Sequence, residues 1–214
     1  VANEIFIPLT VGGGIRSVQD IESILRNGAD KVSINTAATK NPNLINQAAK
    51  EFGSSTICIS IEVIEKANGF GVFVDNGRED TKLNAIEWLQ RAQDLGAGEI
   101  ILTSVDREGV RKGIDSNLIE KVAPFLKVPT IYHGGISSAD DIKFIFDAGF
   151  NGVAIASLFH YEILQIMKKV DHAPREGNFT FTNQLKANPM SLKTTKEINT
   201  LKNELIDIGI PVRL

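Results

Sequence analysis

The stretch from Gly13 to Thr36, GGIRSVQDIESILRNGADKVSINT, occurs in this chain twice. Moved forward by 121 residues it lies without a gap on Gly134–Ser157, GGISSADDIKFIFDAGFNGVAIAS, with ten of 24 positions identical. An internal repeat fixes architecture before any local pattern is read. In both copies a strand runs into paired glycines. A serine follows at a helix N-cap position with an aspartate three residues on. Apolar residues then recur at helical spacing: Ile21, Ile24 and Leu25 in one copy, Ile142, Ile145 and Phe146 in the other. A glycine closes the helix, a β-branched strand follows, and the unit ends in Asn35-Thr36 or Ala156-Ser157. The glycine turn and the polar turn both sit at strand C-terminal ends. Backbone amides at such a place, beside a helix N-terminus, favour a phosphate. Two copies therefore predict two phosphate sites.

The remaining chain alternates strands and helices. Strands are predicted at Ile5–Val11, Lys31–Ile34, Thr56–Glu62, Glu99–Thr103, Val128–Tyr132 and Gly152–Ile155. Helices are predicted at Val18–Asn27, Pro42–Glu51, Leu83–Leu95, Ser116–Phe125, Ala139–Ala148 and Tyr161–Lys169. Val63–Val74 reads as a hairpin excursion turning at Asn68-Gly69. Strict alternation means a parallel sheet, and short apolar strands mean that both its faces are covered. The repeat spans four units of about 30 residues, the scale of a βαβ unit. Eight such units close a (β/α)8 barrel, in which elements four units apart face each other across the mouth. This chain carries six units. The expected layout is barrel units over 1–170, a polar insertion over 171–193, and a C-terminal helix and tail over 194–214. Thr194 with Glu197 is predicted to cap that helix, with Ile198, Leu201, Leu205 and Ile208 on its apolar face.

Composition narrows the function classes. A net charge of −3 disfavours a general nucleic-acid binder. No apolar run is long enough to span a bilayer. Cys58 is the single cysteine and reads as a buried strand thiol, which suits a cytoplasmic setting. The three histidines show no metal-ligand spacing, so neither metal nor cofactor is expected. The bland readings are a ligand-free tight turn for the glycine pairs, a solvated carboxylate for Glu62, an ordinary ion pair for Lys31 and Glu99, and a structural strand histidine for His133. The repetition of both turns favours phosphate binding over the first of these.

The segments VGGGIRS (11–17), GADKVSINTAA (28–38), GAGEIILTSVDREG (96–109), HGG (133–135), ASLFH (156–160) and the ending VRL resemble the cyclase subunit of imidazole glycerol phosphate synthase, the HisF family. The resemblance implies a (β/α)8 TIM barrel of the HisF/HisA type, of which this chain holds units three to eight. It implies a lyase-class cyclase of histidine biosynthesis. That enzyme takes a ribulosyl formimino carboxamide ribonucleotide and ammonia to imidazole glycerol phosphate and aminoimidazole carboxamide ribotide. A glutaminase partner supplies the ammonia. Carried over by position, Gly14, Asn35 and Thr36 would bind one phosphate; Thr103, Gly134, Gly135, Ala156 and Ser157 would bind the other. Lys31 and Glu99 would belong to the ring that gates ammonia entry. The family works with two aspartates. One, ending strand 1, has no counterpart here; the other falls on Glu62, which keeps the carboxylate and lengthens it by one methylene. A loop aspartate of the family is likewise Glu108. Two other readings stay open: an ammonia-delivering paralogue for amidation of a surface sugar, and a non-catalytic phosphate-binding scaffold.

Overall fold

The computed structural model describes residues 4–110, 113–160 and 197–212. Six parallel strands form its spine: β1 (Thr10–Gly12), β2 (Lys31–Ile34), β3 (Ile57–Lys66), β6 (Glu99–Ser104), β7 (Thr130–His133) and β8 (Gly152–Ala154), in that spatial order. Two further strands, β4 (Gly69–Val74) and β5 (Glu79–Asn84), form an antiparallel excursion from the end of β3. The helices are α1 (Val18–Arg26), α2 (Thr36–Lys40), α3 (Asn43–Phe52), α4 (Ala85–Asp94), α5 (Ser116–Val122), α6 (Ala139–Asp147) and α7 (Ile198–Asp207). A helical turn also begins at Ser157. The alternation is that of a partial (β/α)8 barrel. Among the described residues β1 pairs with β2 alone and β8 with β7 alone, so the path has two ends.

The two-residue period of a strand divides the sheet's residues into two faces. Ile57, Ile59 and Ile61 of β3, Ile100 and Leu102 of β6 and Tyr132 of β7 are fully buried. So are Ile21, Ile45, Leu89, Leu118, Ile119 and Ile145 on the helices, and all of these belong to one hydrophobic core. The alternate strand residues carry the polar groups, and the register aligns them in rows. Ser33, Cys58 and Glu99 form one row near the N-terminal end of the sheet. Glu62, Thr103 and His133 form another near its C-terminal end.

The repeat is reproduced in three dimensions. Ser17 caps α1 and Ser138 caps α6, each in a full capping box with Asp20 or Asp141. The strands that feed the two glycine turns, β1 and β7, stand four places apart along the sheet.

Several boundaries differ from expectation. The strand predicted at Ile5–Val11 is reduced to Thr10–Gly12, with Phe6 and Ile7 exposed. Pro8 has no N–H to give a ladder, and Leu9 is held instead at the start of the next strand. The Leu9 amide donates to the Asp30 carboxylate (2.7 Å) and its carbonyl accepts from the Asp30 amide (2.9 Å). The Asn35-Thr36 turn continues into α2, which five residues are too few to signal by period. The strand ending at Glu62 runs on to Lys66, because β4 pairs with its second half. β5, polar but for Leu83, carries no strand signal in the sequence; its Asp80 is gripped by Lys66 and Lys82, 2.8 Å each. In α7, Glu197 is itself the N-cap and makes no side-chain cap bond; Ile198 is exposed, so Leu201 and Leu205 carry the buried face. Thr194, helix 161–169 and the insertion 171–193 lie outside the described residues. No described helix is long and apolar enough to cross a membrane.

Candidate functional site

Two cavities open at the C-terminal end of the sheet, one at each copy of the repeat. The first, about 790 Å³, is bounded by Gly13, Gly14, Arg16, Asn35, Thr36 and Glu62. The second, about 260 Å³, is bounded by Glu108, His133, Gly134, Gly135, Ala156 and Ser157. Each glycine pair adopts the left-handed conformation that only glycine takes without strain: Gly13 and Gly14 at φ 101° and 71°, Gly134 and Gly135 at 114° and 79°. These turns bring the backbone to the N-termini of α1 and α6. The capping aspartates occupy the next amides along. Asp20 accepts from the Arg16 and Ser17 amides, 2.9 Å each, and these bonds hold its carboxyl below the usual range. Asp141 accepts from the Ser137 and Ser138 amides (2.8 and 3.1 Å) and from the Ser137 hydroxyl. An anion at either turn must therefore be met by the glycines and by what faces them.

The two copies part company in what surrounds the turn. A Cβ on Gly13 or Gly14 would meet nothing within 4 Å. A Cβ on Gly134 would lie 2.5 Å from the Ser104 carbonyl oxygen, and one on Gly135 2.2 Å from that of Gly113. Arg107 and Gly113, between β6 and α5, lie against the second turn, while the first stands open. The first cavity also holds two cations, Arg16 and Lys40, the latter 3.4 Å from Glu79. At the position of Arg16 the second copy has Ser137.

Of the residues expected at the phosphates, Gly14, Asn35 and Thr36 share the first cavity; Gly134, Gly135, Ala156 and Ser157 share the second. Thr103 bounds neither. It is buried in β6 with its hydroxyl 3.4 Å from Nδ1 of His133, which does reach the second cavity. Lys31 and Glu99 meet 2.5 Å apart at the other end of the sheet, bridging across β3, with Glu99 the better buried of the two. Between them lies Cys58, fully buried, its thiol pushed up to about 12 chiefly by burial and further by Glu99.

Glu62 is half-buried at the wall of the first cavity and is not the end of its strand. It sits within β3 where the strand's parallel ladder to Thr103 of β6 gives way to its antiparallel ladder with Phe73 of β4. Oε1 accepts from Nδ2 of Asn35 (2.9 Å) and Oε2 from the amide of Gly77 (2.8 Å). Partial burial raises its pKa above the ordinary carboxylate value, against the lowering effect of the Gly77 bond; the charge of Glu108 adds to the rise. A carboxylate with each oxygen held and its proton affinity raised is suited to proton transfer. The other amide atom of Asn35, Oδ1, is buried without a hydrogen-bond partner among the described residues. Such an orphan costs about 1–3 kcal/mol.

Gly77 went unnoticed in the sequence, as did Arg16, Lys40 and the turn Asp75–Gly77. All three turn residues have positive φ, 56°, 57° and 75°. The dipeptide Asn76-Gly77 is itself a turn signal of the kind used to place the preceding hairpin, and would have located this one. Among the described residues no group of three or more His, Cys, Asp or Glu is placed to hold a metal ion.

Comparison with known proteins places this geometry in context. The family model described as histidine biosynthesis protein matches residues 1–165. The chain is similar to proteins named imidazole glycerol phosphate synthase subunit HisF. It is 43% identical to that of Campylobacter concisus over 177 residues, covering 83% of this chain and 70% of the relative. It is 42% identical to that of Metallosphaera sedula over 177 residues (82% and 70%). It is 46% identical to that of Thermobifida fusca over 166 residues (75% and 65%). The chain thus matches 65% to 70% of the length of these relatives.

Proposed function

Since this chain belongs to the histidine-biosynthesis family as a HisF-type member, we propose that it is the cyclase subunit of an imidazole glycerol phosphate synthase. Its substrate is the ribulosyl formimino carboxamide ribonucleotide, a bisphosphate. The two glycine turns grip its two ends: Gly14 and Thr36 one phosphate, Gly134, Gly135, Ala156 and Ser157 the other, with Asn35 and Thr103 beside them. Ring closure requires a proton to be taken and given between these ends. Glu62, held at both oxygens between the cavities, is the group that supports this role. The observation that carries the reading is the pair of cavities at glycine turns four strands apart, with this carboxylate bounding one and feeling the charge of Glu108, which bounds the other. Ammonia is supplied by a glutaminase subunit at the opposite end of the sheet, where the Lys31–Glu99 pair serves as the gate. The setting is cytoplasmic in this reading, a reducing compartment that suits the free thiol of Cys58.

The products are imidazole glycerol phosphate and aminoimidazole carboxamide ribotide. The test is turnover of the bisphosphate by the purified chain with an ammonium salt, which needs no glutaminase. Turnover that falls by about 10²–10⁴-fold in Glu62→Gln supports the reading. A second reading is favoured by one observation, the glutamates at 62 and 108 where the family's aspartates are expected. It makes the chain a paralogue delivering ammonia to a surface sugar. No turnover, but stimulation of a glutaminase on mixing, selects that reading.

A further inference from the structure

We propose that Asn35 is a positioning residue for Glu62 and not, through its side chain, a ligand of the phosphate. The proposal rests on the reading of Glu62 as the proton-transfer group, and it reassigns a residue expected at the anion. Asn35 follows the last residue of β2, and its side chain reaches Glu62 of β3. It occupies the N-cap position of α2, yet its side chain makes no cap bond. Its amide nitrogen donates to Oε1 of Glu62, and its amide oxygen is left buried and unpaired. An asparagine that caps nothing and leaves its own acceptor orphaned is explained by what its nitrogen does.

Charge fixes which way the amide lies. Turned over, Oδ1 would face a carboxylate oxygen, acceptor against acceptor. An anion drawn to the same nitrogen would stand beside the Glu62 carboxylate and be repelled by it. The cations that answer a phosphate in this cavity are Arg16 and Lys40. Glu62 is thus set by two donors from different elements, Asn35 from the end of β2 and Gly77 from the β4–β5 turn. The charged groups around it are Asp75 in that turn and Glu108 in the loop after β6, which both favour its protonated form; Arg16, Lys40 and Glu79 complete the cavity wall.

The test separates the two roles without requiring turnover. In the wild-type chain, the side-chain amide signal of Asn35 in a proton–nitrogen NMR spectrum should titrate with Glu62 and respond little to inorganic phosphate. In Asn35→Ala, and in Asn35→Leu, which refills the space, the carboxyl-carbon signal of Glu62 (assigned by its loss in Glu62→Gln) should titrate at higher pH. Loss of a donor to the charged form has that sign. Inorganic phosphate affinity, by calorimetry, should change by less than about threefold, whereas a side chain bonded to the anion would be worth about ten- to a hundred-fold. A Glu62 titration that stays in place, a phosphate affinity that drops tenfold, or an Asn35 signal that follows phosphate and not pH overturns the proposal. Where the chain turns over substrate, the same variants should lower kcat with KM nearly unchanged and move the acid limb of the pH profile upward. Absence of turnover in the wild type would count against the cyclase reading alone, since the NMR and phosphate measurements do not depend on it.

Discussion

Replacing one glycine in each copy of the repeat by alanine should produce opposite kinds of damage. Gly14 and Gly135 occupy equivalent places and have nearly the same φ, 71° and 79°. Each alanine therefore carries a similar left-handed penalty, about 1–2 kcal/mol. The surroundings differ. At Gly14 a Cβ meets nothing within 4 Å. At Gly135 it would fall 2.2 Å from the Gly113 carbonyl oxygen and 2.9 Å from Cβ of Arg107, both in the β6–α5 loop. That loop is not free to retreat. The amide of Asp115, two residues beyond Gly113, donates to the buried Tyr132 hydroxyl (2.9 Å), and Asp106 accepts from the Glu65 amide (2.9 Å). Overpacking against such a fixed neighbour adds about 1–3 kcal/mol. Gly135→Ala should then cost about 2–5 kcal/mol and Gly14→Ala about 1–2, or Tm losses of roughly 6–15 °C and 3–6 °C for a chain of this size. Urea unfolding monitored by circular dichroism measures both. Phosphate calorimetry completes the comparison, because Gly14 bounds the open first cavity and a methyl group added there should weaken the anion. Equal losses of stability, or a larger loss at Gly14, would refute the claim that the loop clamps only the second turn.

Other predictions follow from particular contacts. Glu62 has its folded-state pKa raised, so the native state holds the proton more tightly than the unfolded chain. Its contribution is fully present below the unfolded-state value and is lost as pH rises through the folded one; the wild type should therefore gain stability relative to Glu62→Gln as pH falls from neutral toward about 4. Gln93, buried on α4, donates to the Phe125 carbonyl (3.0 Å) and accepts from the Lys127 and Val128 amides (2.6 and 3.2 Å). Gln93→Ala should cost about 2–4 kcal/mol in urea, since three backbone groups lose their partner. Cys58, buried and with its thiol pushed up to about 12, should resist iodoacetamide at pH 8 in the native chain and react promptly in urea.

The repeat carried most of the architecture, because capping boxes and glycine turns are local and each is spelled out by adjacent residues. Ser17 with Asp20 and Ser138 with Asp141 behave as their spacing requires. What escaped was non-local or too short. β5 has no apolar alternation to reveal it, and it exists through pairing with β4 and the two lysines on Asp80. At the front, the apolar residues Ile5, Phe6 and Ile7 read as strand, but Pro8 interrupts the ladder. At the site, the residue types were legible and their partnerships were not. Asn35 and Gly77 lie 27 and 15 residues from Glu62, and only folding brings their donors to one carboxylate. The contrast between an open first turn and a covered second one was equally hidden, since both copies read Gly-Gly-Ile.

The strand β3 belongs at once to the sheet and to the excursion, and Glu62 stands at the junction. Changes of length or composition in the residues between Lys66 and Asn84 would be transmitted to one carboxylate while the six-strand ladder kept its alignment. An engineer, or natural variation, could retune Glu62 and the adjoining wall of the first cavity (Asp75, Asn76, Glu79) from this outlying segment while the second cavity kept its lining. Loop grafting there is the natural first trial for shifting the proton affinity of Glu62.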